Sequence, residues 1–501
     1  MERPQAPEPV PDLDWDPKKA REFGEQVLAI WEELLRQLPD LPVARAHSAD
    51  QVRQAVAISV PDRPLPVDQL AAYLEDLALK WSTYPGHPGF MGYISGAGTV
   101  PGAVADLLAA GLNQNVGGWR LSPAATEIEL HLMAWFADRF GLPQSAGGLF
   151  TSGCAMAAFT ALKAARDAKA RGKVQQAGLG DGPKPTIYVS SEAHIVNERA
   201  ADMLGLGRDW VRYIPTDESL RMRVDALRDA VERDFAYGHQ PIAVVATAGT
   251  VATGAIDPLD EIAGLCEGYG LWFHVDGAYG GVAALVDELQ PLFAGIERAD
   301  SIAFDPHKWL YTPHSGGAVL VADRHRLADS FAVEPAYLHE DKQLTGRGLD
   351  LLSMGPQFSR GFQALKVWVS LLAHGWAAYA RRIAHDVELA GYLYDLAATR
   401  PDFETLTPQW LSIACFRYVP PDLPDGAEQE SYLNRLNERL MAEIQQHGRV
   451  YPSNALIEER FWLRACIVNF RTEAEDVEAL LDVAAELGDR LDGQLRPASL
   501  R

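Results

Sequence analysis

The chain has 501 residues, of which 48% are apolar and 23% are charged, a balance typical of a globular protein with two or three domains. Its 68 acidic side chains outnumber its 45 basic ones and give a formal net charge of −23 at pH 7. Such a charge repels nucleic acids and anionic lipid surfaces, so we predict neither as a partner.

The four cysteines, Cys154, Cys266, Cys415 and Cys466, are far apart, and none lies in a Cys-x-x-Cys spacing. This pattern predicts neither a disulfide framework nor a thiolate metal site. The N-terminus has no basic segment followed by an apolar core, and no uncharged stretch of about 18 residues follows later. We therefore expect a protein of the reducing cytoplasm without a membrane anchor.

Helical periodicity dominates the first hundred residues. Residues 17–40, 50–59 and 67–80 each place apolar side chains on one face and predict three helices. We assign residues 1–100 to a helical N-terminal arm. Because one face of this arm is too apolar to stand alone, it predicts an intertwined homodimer whose active sites lie at the interface.

From Gly147 to about Asp323, short apolar runs alternate with longer helical segments. The runs are GGLFTSG, TIYVSS, IAVVAT, LWFHVD, SIAFD and GGAVLVAD. This alternation predicts βαβ units and a parallel sheet buried on both faces, which we assign to a large domain at 101–375.

The last part of the chain predicts a smaller α+β domain, which we place at 376–501. A long helix is expected from near Gly361, with a break at Gly375. Beyond it, the runs LSIACFRYV and FWLRACIVNF flank a helical stretch at 430–447.

Polar residues that end apolar runs are the candidates for a site, because ligands of open α/β sheets bind at the carboxyl ends of the strands. LWFHVD ends at Asp276, and SIAFD is followed by His307 and Lys308. IAVVAT leads into a Gly/Thr-rich loop in which Thr247 and Thr250 offer hydroxyl groups.

Lys308 and Asp276 have two interpretations, which their spacing leaves open. A plain buried ion pair is common. Alternatively, Lys308 loses its proton, helped by desolvation near other cations, and bonds to the aldehyde of pyridoxal phosphate (PLP). The pyridinium nitrogen of that cofactor needs a facing carboxylate, and Asp276 is suited to this.

Two further segments have a functional and a structural interpretation. Gly153 precedes a strongly helical run whose N-terminus is suited to a phosphate, although a β-α turn without a ligand fits equally. His194 follows TIYVSS and is suited to stacking on an aromatic cofactor, or to ordinary structural hydrogen bonding. Gly96 and Gly98 do not fit a dinucleotide fingerprint, and no metal-binding spacing occurs, so we predict no metal.

Together these pieces resemble the PLP-dependent group II decarboxylases, in particular the aromatic L-amino-acid decarboxylase family. The likeness covers about His87 to Arg471, and HVDGAYGG followed by DPHKWL is its most specific part. The other motifs are HPGFMGYISG, NQNVGGWRLSPAATEIE, TSGCAMAAFTAL, SSEAHIVNERAA, EPAYL, FSRGFQALKVW and FWLRACIVNFRT. The resemblance implies an α/β protein of PLP-dependent transferase fold type I (aspartate aminotransferase-like), with a mainly parallel seven-stranded sheet.

The resemblance implies catalytic roles for Lys308, Asp276, His194 and Tyr337. Lys308 would bind the cofactor, Asp276 would face its ring nitrogen, and His194 would stack on the ring. Tyr337, in EPAYL, matches a loop tyrosine that returns a proton to the substrate carbon after CO2 leaves. The other expected cofactor contacts are Ala278, His307, Gly153, Cys154, Ala155, Thr247, Thr250 and Asp305. The expected substrate contacts are Tyr93, Ile94, Asn115, Val116, Gly117 and Arg360, with 115–117 supplied by the partner subunit.

Two positions depart from the family pattern. Ala155 and Met156 stand where the family often has a hydroxyl residue followed by Glu, and Asp305 stands where relatives can have asparagine. Because an acid beside a phosphate is unfavourable, we expect backbone amides and His307 to carry more of the phosphate binding.

The implied reaction is decarboxylation of an aromatic L-amino acid to the amine and CO2. Tryptophan, phenylalanine, tyrosine and dopa are the candidates, because HPGFMGYISG offers no charged pocket and Gly117 leaves room. The alternatives are a decarboxylating aromatic aldehyde synthase of the same fold, a decarboxylase of a non-aromatic amino acid, an aminotransferase and a PLP-free interaction protein. The presence of Tyr337 and His194 disfavours the synthase, and that of Lys308 and Asp276 disfavours the interaction protein.

Overall fold

The computed structural model describes residue 10 and residues 13–172, 174–180, 182–332 and 348–500. Within these residues the α-helices are α1 Pro17–Gln37, α2 Ala49–Val56, α3 Val67–Lys80, α4 Val100–Leu112, α5 Pro123–Arg139, α6 Cys154–Lys169, α7 Val174–Ala177, α8 Val196–Met203, α9 Val224–Ala236, α10 Leu259–Tyr269, α11 Pro306–Trp309, α12 His325–Phe331, α13 Ala364–His374, α14 Trp376–Thr399, α15 Gln429–His447 and α16 Ala474–Leu495. The β-strands are β1 Gly147–Thr151, β2 Pro185–Ser190, β3 Val211–Ile214, β4 Gln240–Thr247, β5 Trp272–Asp276, β6 Ser301–Phe304, β7 Gly317–Val321, β8 Phe403–Thr405, β9 Ile413–Tyr418, β10 Ser453–Ile457 and β11 Arg460–Cys466.

A seven-stranded sheet lies at the centre of the molecule, in the order β1-β7-β6-β5-β4-β2-β3. β7 runs antiparallel to both of its neighbours, and the other six strands are parallel to one another. The residues of β2, β5, β6 and β7 are all buried, as expected for continuous apolar strands covered on both faces. The predicted mainly parallel seven-stranded sheet is confirmed.

The edge strand β3 is the member of this sheet that the sequence analysis missed. Only the first and last of its four residues are buried. A half-buried edge strand lacks the continuous apolar run by which the other strands are recognised.

A four-stranded antiparallel sheet, β10-β11-β9-β8, forms the C-terminal part of the structure. With α14, α15 and α16 it encloses a second hydrophobic cluster, which includes Leu393, Phe416, Leu436, Leu463 and Leu480. The predicted small α+β unit is confirmed in kind. The predicted helix break also occurs, since α13 and α14 meet at Gly375, whose φ is 73°. The boundaries 1–100, 101–375 and 376–501 stay predictions.

The predicted N-terminal helices correspond to α1, α2 and α3, and their apolar faces remain partly exposed in the single chain. None of the residues of α1 is buried. Apolar residues of α1 and α3 line a groove of about 590 Å³ against the rest of the molecule. In the part of the chain that the structure describes, no helix combines the length and hydropathy needed to cross a bilayer.

Candidate active site

A cavity of about 630 Å³ lies at the carboxyl ends of β4, β5 and β6. Thr247 at the end of β4 pairs in register with Asp276 at the end of β5, which in turn pairs with Ala303 on β6. Because parallel strands end at the same edge of a sheet, the residues that follow them meet there. The short helix α11 follows β6 directly and carries Lys308 into the same cavity.

Most of the predicted cofactor contacts and two of the predicted substrate contacts line this cavity. They are Lys308, Asp276, Ala278, His194, Gly153, Cys154, Ala155, Thr247, Asp305, Tyr93 and Ile94. The structure therefore brings together residues that are widely separated in the sequence. The individual roles assigned to them stay predictions.

The amine of Lys308 is paired with an anion. Its Nζ lies 3.0 Å from Oδ2 of Asp305, and both side chains are largely buried. Burial alone would lower the pKa of Lys308, but the carboxylates of Asp305 and Asp276 outweigh this and hold the pKa above its usual value. The expectation that neighbouring cations promote loss of the lysine proton is therefore wrong, since the nearest charge is the carboxylate of Asp305.

Asp276 is held as a buried hydrogen-bond acceptor in the cavity wall. Its Oδ1 accepts the backbone N–H of Ala278 at 3.1 Å, and the thiol of Cys154 donates to the same oxygen at 3.8 Å. Burial and the charges of Asp305 and Asp276 raise the pKa of the Cys154 thiol well above its usual value. The thiol therefore keeps its proton and acts as the donor in its hydrogen bond to Asp276.

His194 presents one defined tautomer to the cavity. The backbone N–H of Val196 donates to its Nδ1 at 3.1 Å, so the neutral ring carries its proton on Nε2. Burial lowers the pKa of His194, and the negative charge of Asp276 only partly offsets this. At neutral pH the imidazole is therefore uncharged and has one N–H donor.

The wall beside Gly153 has the groups that a phosphate needs. α6 begins at Cys154, and the N–H groups in the first turn of a helix have no acceptor within it. The turn is tightly packed, because a Cβ at Gly317 would lie 2.4 Å from the carbonyl carbon of Gly153. Thr247, which also lines the cavity, has its Oγ1 buried without a hydrogen-bond partner in the described residues. These donors, with Lys308 and Asp276, fit pyridoxal phosphate.

His307 and Thr250 do not line the cavity. The Nδ1 of His307 donates to the carbonyl oxygen of Gly316 at 2.6 Å. The hydroxyl of Thr250 bonds to the Thr253 hydroxyl at 3.0 Å and accepts the N–H of Ala255 at 3.1 Å. These side chains are engaged in local structure, and their contact with the cofactor stays a prediction.

Asn115, Val116, Gly117 and Arg360 also lie outside the cavity lining. The guanidinium of Arg360 forms a buried salt bridge with Glu129 and donates to the carbonyl oxygen of Phe150 at 2.8 Å. Asn115 Oδ1 accepts the backbone N–H groups of Gly117 at 2.9 Å and of Arg360 at 3.0 Å. Within its own chain Arg360 therefore holds the 115–117 segment in place and does not reach the substrate cavity.

Tyr337, the predicted proton donor, lies outside the described residues. Its role stays a prediction.

Within the described ranges, no group of three or more His, Cys, Asp and Glu side chains is arranged to hold a metal ion.

Sequence analysis missed Arg464, a buried cation in the cavity wall. Its Nε donates to the carbonyl oxygen of Ala252 at 3.1 Å, and its Nη1 donates to that of Tyr93 at 3.0 Å. Its Nη2 is buried without a partner in the described residues. The sequence does contain a signal, since Arg464 is the one charged residue in the otherwise apolar run FWLRAC. The expectation of a pocket without charge, based on residues 87–96, overlooked this strand.

The comparisons with known proteins agree with this geometry. The family model of the pyridoxal-dependent decarboxylase conserved domain matches residues 50–419. An aromatic-L-amino-acid decarboxylase from Bacillus atrophaeus is 33% identical over 93% of this chain and 95% of its own length. A phenylacetaldehyde synthase from a Rosa hybrid cultivar is 29% identical over 92% of each chain. A crystal structure of Oryza sativa TDC with PLP and tryptamine superposes with a TM-score of 0.88 at 26% identity, covering 95% of this chain and 99% of that one.

Proposed function

The chain belongs to the pyridoxal-dependent decarboxylase family and is a PLP-dependent amino-acid decarboxylase of fold type I, and on this premise we propose that its substrate is an aromatic L-amino acid. The products are then the corresponding amine and CO2. The observation that carries the proposal is the meeting of Lys308 and Asp276 in one cavity whose entrance is apolar.

Pyridoxal phosphate, when bound, supplies an electron sink for the electron pair left on the substrate carbon as the carboxyl group departs. The Nζ of Lys308 would hold the cofactor through its aldehyde group and would give way to the amine of the substrate. The carboxylate of Asp276 would hold the cofactor through a charged hydrogen bond that favours a protonated ring nitrogen. His194 brings a neutral Nε2–H to the reacting groups and adds no charge to the cavity.

The substrate side chain is proposed to bind at the apolar entrance of the cavity. Tyr93, Val251 and Leu456 line the cavity and are 60%, 42% and 64% exposed, so their apolar surface is available to a ligand. Exposed apolar side chains beside a few polar groups are typical of a small-molecule site. The similarity to an aromatic-L-amino-acid decarboxylase supports the same substrate class.

Arg464 is proposed to bind the carboxylate of the incoming amino acid. Its buried Nη2 has no partner among the described residues, and an unpaired buried cation favours an anionic ligand. Holding the carboxylate at a defined position orients the bond that breaks. A free cationic group in the cavity is also compatible with an acidic, non-aromatic substrate. The experiments below must distinguish such a substrate from an aromatic one.

A panel of L-amino acids tests the substrate class. Purified enzyme with PLP is incubated with tryptophan, phenylalanine, tyrosine, dopa, glutamate and diaminobutyrate, and CO2 and amine are both measured. We expect equal amounts of CO2 and amine from at least one aromatic substrate and loss of both in Lys308→Ala. Turnover of glutamate or diaminobutyrate alone would contradict the proposal.

The same assay separates the decarboxylase from an aldehyde synthase, to which the chain is also similar. A synthase consumes oxygen and yields aldehyde and hydrogen peroxide in place of amine, whereas an aminotransferase yields a keto acid. We propose that Tyr337 favours the amine by protonating the substrate carbon. Tyr337→Phe should then raise the ratio of aldehyde to amine, and an unchanged ratio would remove this role from Tyr337.

Product binding distinguishes the two possible roles of Arg464. The amine product lacks the carboxylate but keeps the aromatic ring. If Arg464 binds the substrate carboxylate, Arg464→Gln raises KM for the amino acid by about tenfold or more, since a charged hydrogen bond contributes about 1.5–3 kcal/mol. Inhibition by the amine should remain within about twofold of wild type. Equal weakening of both ligands would mean that Arg464 only supports the cavity wall.

We propose that the enzyme is a homodimer with its active sites at the interface. The exposed apolar residues of α4, Val100, Val104, Leu107, Leu108 and Leu112, lie on one helix face, and α1 buries no residue in a single chain. A second copy of the chain is the occupant that covers both. Leu107→Glu together with Leu108→Glu should yield monomers by light scattering, with loss of activity if the 115–117 segment serves the partner's cavity.

A further inference from the structure

Asp305 has an arrangement that phosphate binding does not explain. It follows β6 directly, and its Oδ2 lies 3.0 Å from Nζ of Lys308. Its Oδ1 is buried without a hydrogen-bond partner among the described residues, and the Nδ1 of His307 lies 3.8 Å from it. The other titratable groups that face Lys308 are Asp276, Cys154 and His194. The side chain of Asp305 is 4% exposed, so water does little to screen this pair.

The other carboxylate in the cavity, Asp276, acts on Lys308 only through its charge and forms no salt bridge with it in the described residues. Asp276 Oδ1 is occupied by the N–H of Ala278 and the thiol of Cys154. Within the ranges that the structure describes, Asp305 is the carboxylate that lies within salt-bridge distance of Lys308. Removing the charge of Asp305 should therefore lower the pKa of Lys308 more than that of any other cationic side chain.

We infer that Asp305 holds Lys308 as an ammonium ion and thereby sets the pH at which the chain captures its cofactor. An ammonium nitrogen has no lone pair and cannot attack an aldehyde. Capture requires that the ammonium first release a proton to solvent. The free amine then forms a bond to the aldehyde carbon, the carbon–oxygen bond breaks, and the oxygen leaves as water. No oxidant or reductant takes part.

Asp305 has a second effect on capture, because its carboxylate and a phosphate carry charges of the same sign. Both Asp305 and the N-terminal turn of α6 line the cavity. Like charges in a poorly screened site repel each other. An asparagine at this position would keep the size of the side chain, lose the charge, and favour both the free amine and the phosphate.

Stopped-flow absorbance tests the inference. The full-length chain is freed of cofactor and mixed with PLP at a series of pH values, and the rate of cofactor capture is measured at each. An opposite charge this close shifts a pKa by about 1–3 units, so Asp305→Asn should move the midpoint of the capture rate at least about one pH unit lower. Capture near neutral pH should be about tenfold faster. The equilibrium affinity for PLP should rise more than that for unphosphorylated pyridoxal.

Asp300→Asn is the matched control. Asp300 precedes β6 at its opposite end, where its Oδ2 accepts the N–H of Phe273 at 2.8 Å. The Asp300→Asn variant removes a carboxylate at the opposite end of β6, away from Lys308. It should leave the midpoint of the capture rate unchanged. Lys308→Ala corrects for reaction at other lysines. An unchanged midpoint in Asp305→Asn, or slower capture at every pH, would overturn the inference.

Wild-type protein provides a test that does not depend on the folding of a variant. The midpoint of its capture rate with unphosphorylated pyridoxal reports the titration of Lys308 and should lie above the ordinary lysine value of about 10.4. A midpoint well below that value would also overturn the inference. The inference rests on the cofactor of the proposed function and not on its substrate, and capture is measured without any amino acid. A wrong substrate assignment therefore leaves its outcome unaffected.

Discussion

The carboxylate of Asp386 on α14 accepts a 2.9 Å hydrogen bond from the indole Nε1 of Trp309, the residue that directly follows Lys308. The same oxygen accepts the hydroxyl of Tyr311 at 2.6 Å, and Arg382 donates to the other oxygen at 2.9 Å. Asp386 is completely buried. One carboxylate thus anchors the segment that carries the predicted cofactor-binding lysine to the long helix α14.

Removal of this carboxylate should destabilise the protein strongly. Asp386→Ala leaves the buried donors of Trp309 and Tyr311 without their acceptor and removes one acceptor of the partly exposed Arg382, and we expect the free energy of unfolding to fall by about 3–5 kcal/mol. Urea unfolding measures the change. The control is Asp395→Ala, at an exposed position on the same helix, which should stay within about 0.5 kcal/mol of wild type. Equal stability of the two variants would contradict the anchoring role.

Asp257 predicts a pH dependence of stability with a definite sign. It accepts the N–H groups of Thr247 and Met222, each at 2.7 Å, and burial raises its pKa from 3.8 to about 6. Between these values the folded state keeps a proton that the unfolded state has released. Raising the pH through this window therefore lowers stability through this group, by up to about 3 kcal/mol.

The measurement for Asp257 is urea unfolding of wild type and Asp257→Asn at several pH values between about 4 and 7. The variant cannot titrate at this position. The stability of wild type minus that of the variant should therefore decrease as the pH rises through the window and become constant above it. If the difference in stability between wild type and variant is independent of pH, or increases with pH, then burial does not destabilise the charged form of Asp257.

The salt bridge between Arg360 and Glu129 should make a large contribution to stability, because both side chains are almost completely buried. Arg360→Met leaves the Glu129 charge unpaired, and we expect a loss of about 3–5 kcal/mol. Thermal unfolding checks this against Arg53→Met, which breaks an ion pair whose side chains are 70% and 79% exposed. The exposed pair should contribute less than about 1 kcal/mol. A similar loss in both variants would contradict the expected effect of burial.

Gly96 should be required for the placement of Lys308. A Cβ at residue 96 would lie 2.3 Å from the carbonyl oxygen of Lys308 and 2.7 Å from that of His307, so Gly96→Ala must shift either its own segment or α11, and we expect α11 to move. A misplacement near 1 Å costs about 100-fold in rate, and we expect kcat to fall by that order. Gly493→Ala on α16, where a Cβ meets nothing within 4 Å, should keep full activity. Normal activity in Gly96→Ala would show that the backbone adjusts without moving the lysine.

Much of the fold follows from local pattern. Strands buried on both faces are continuous apolar runs, and runs of this kind identify β1, β2, β4, β5, β6 and β7 in the amino-acid sequence. β3 was missed because only two of its four residues are buried, β10 because its residues alternate between buried and exposed, and β8 because it has only three residues. The edge strand β1, by contrast, is buried over four of its five residues and was identified. Burial on both faces, and not position in the sheet, therefore decides whether a strand is recognised from its sequence.

The partners of the site residues do not follow from local pattern. Asp305 was expected near a phosphate, and the structure places it against the amine of Lys308. Arg464 and Leu456 come from the C-terminal sheet, far along the chain from Lys308 and Asp276. Contacts of this kind depend on the docking of separate elements, and no local periodicity encodes them.

The motifs HVDGAYGG and DPHKWL, which are local features at strand ends, were enough to indicate the cofactor chemistry of this protein. The neighbours of each charged group did not follow from the amino-acid sequence, because distances between side chains arise when the sheet and the C-terminal strands pack together. In a buried cavity those distances determine the protonation of each group, and the protonation of Lys308 determines whether it can react.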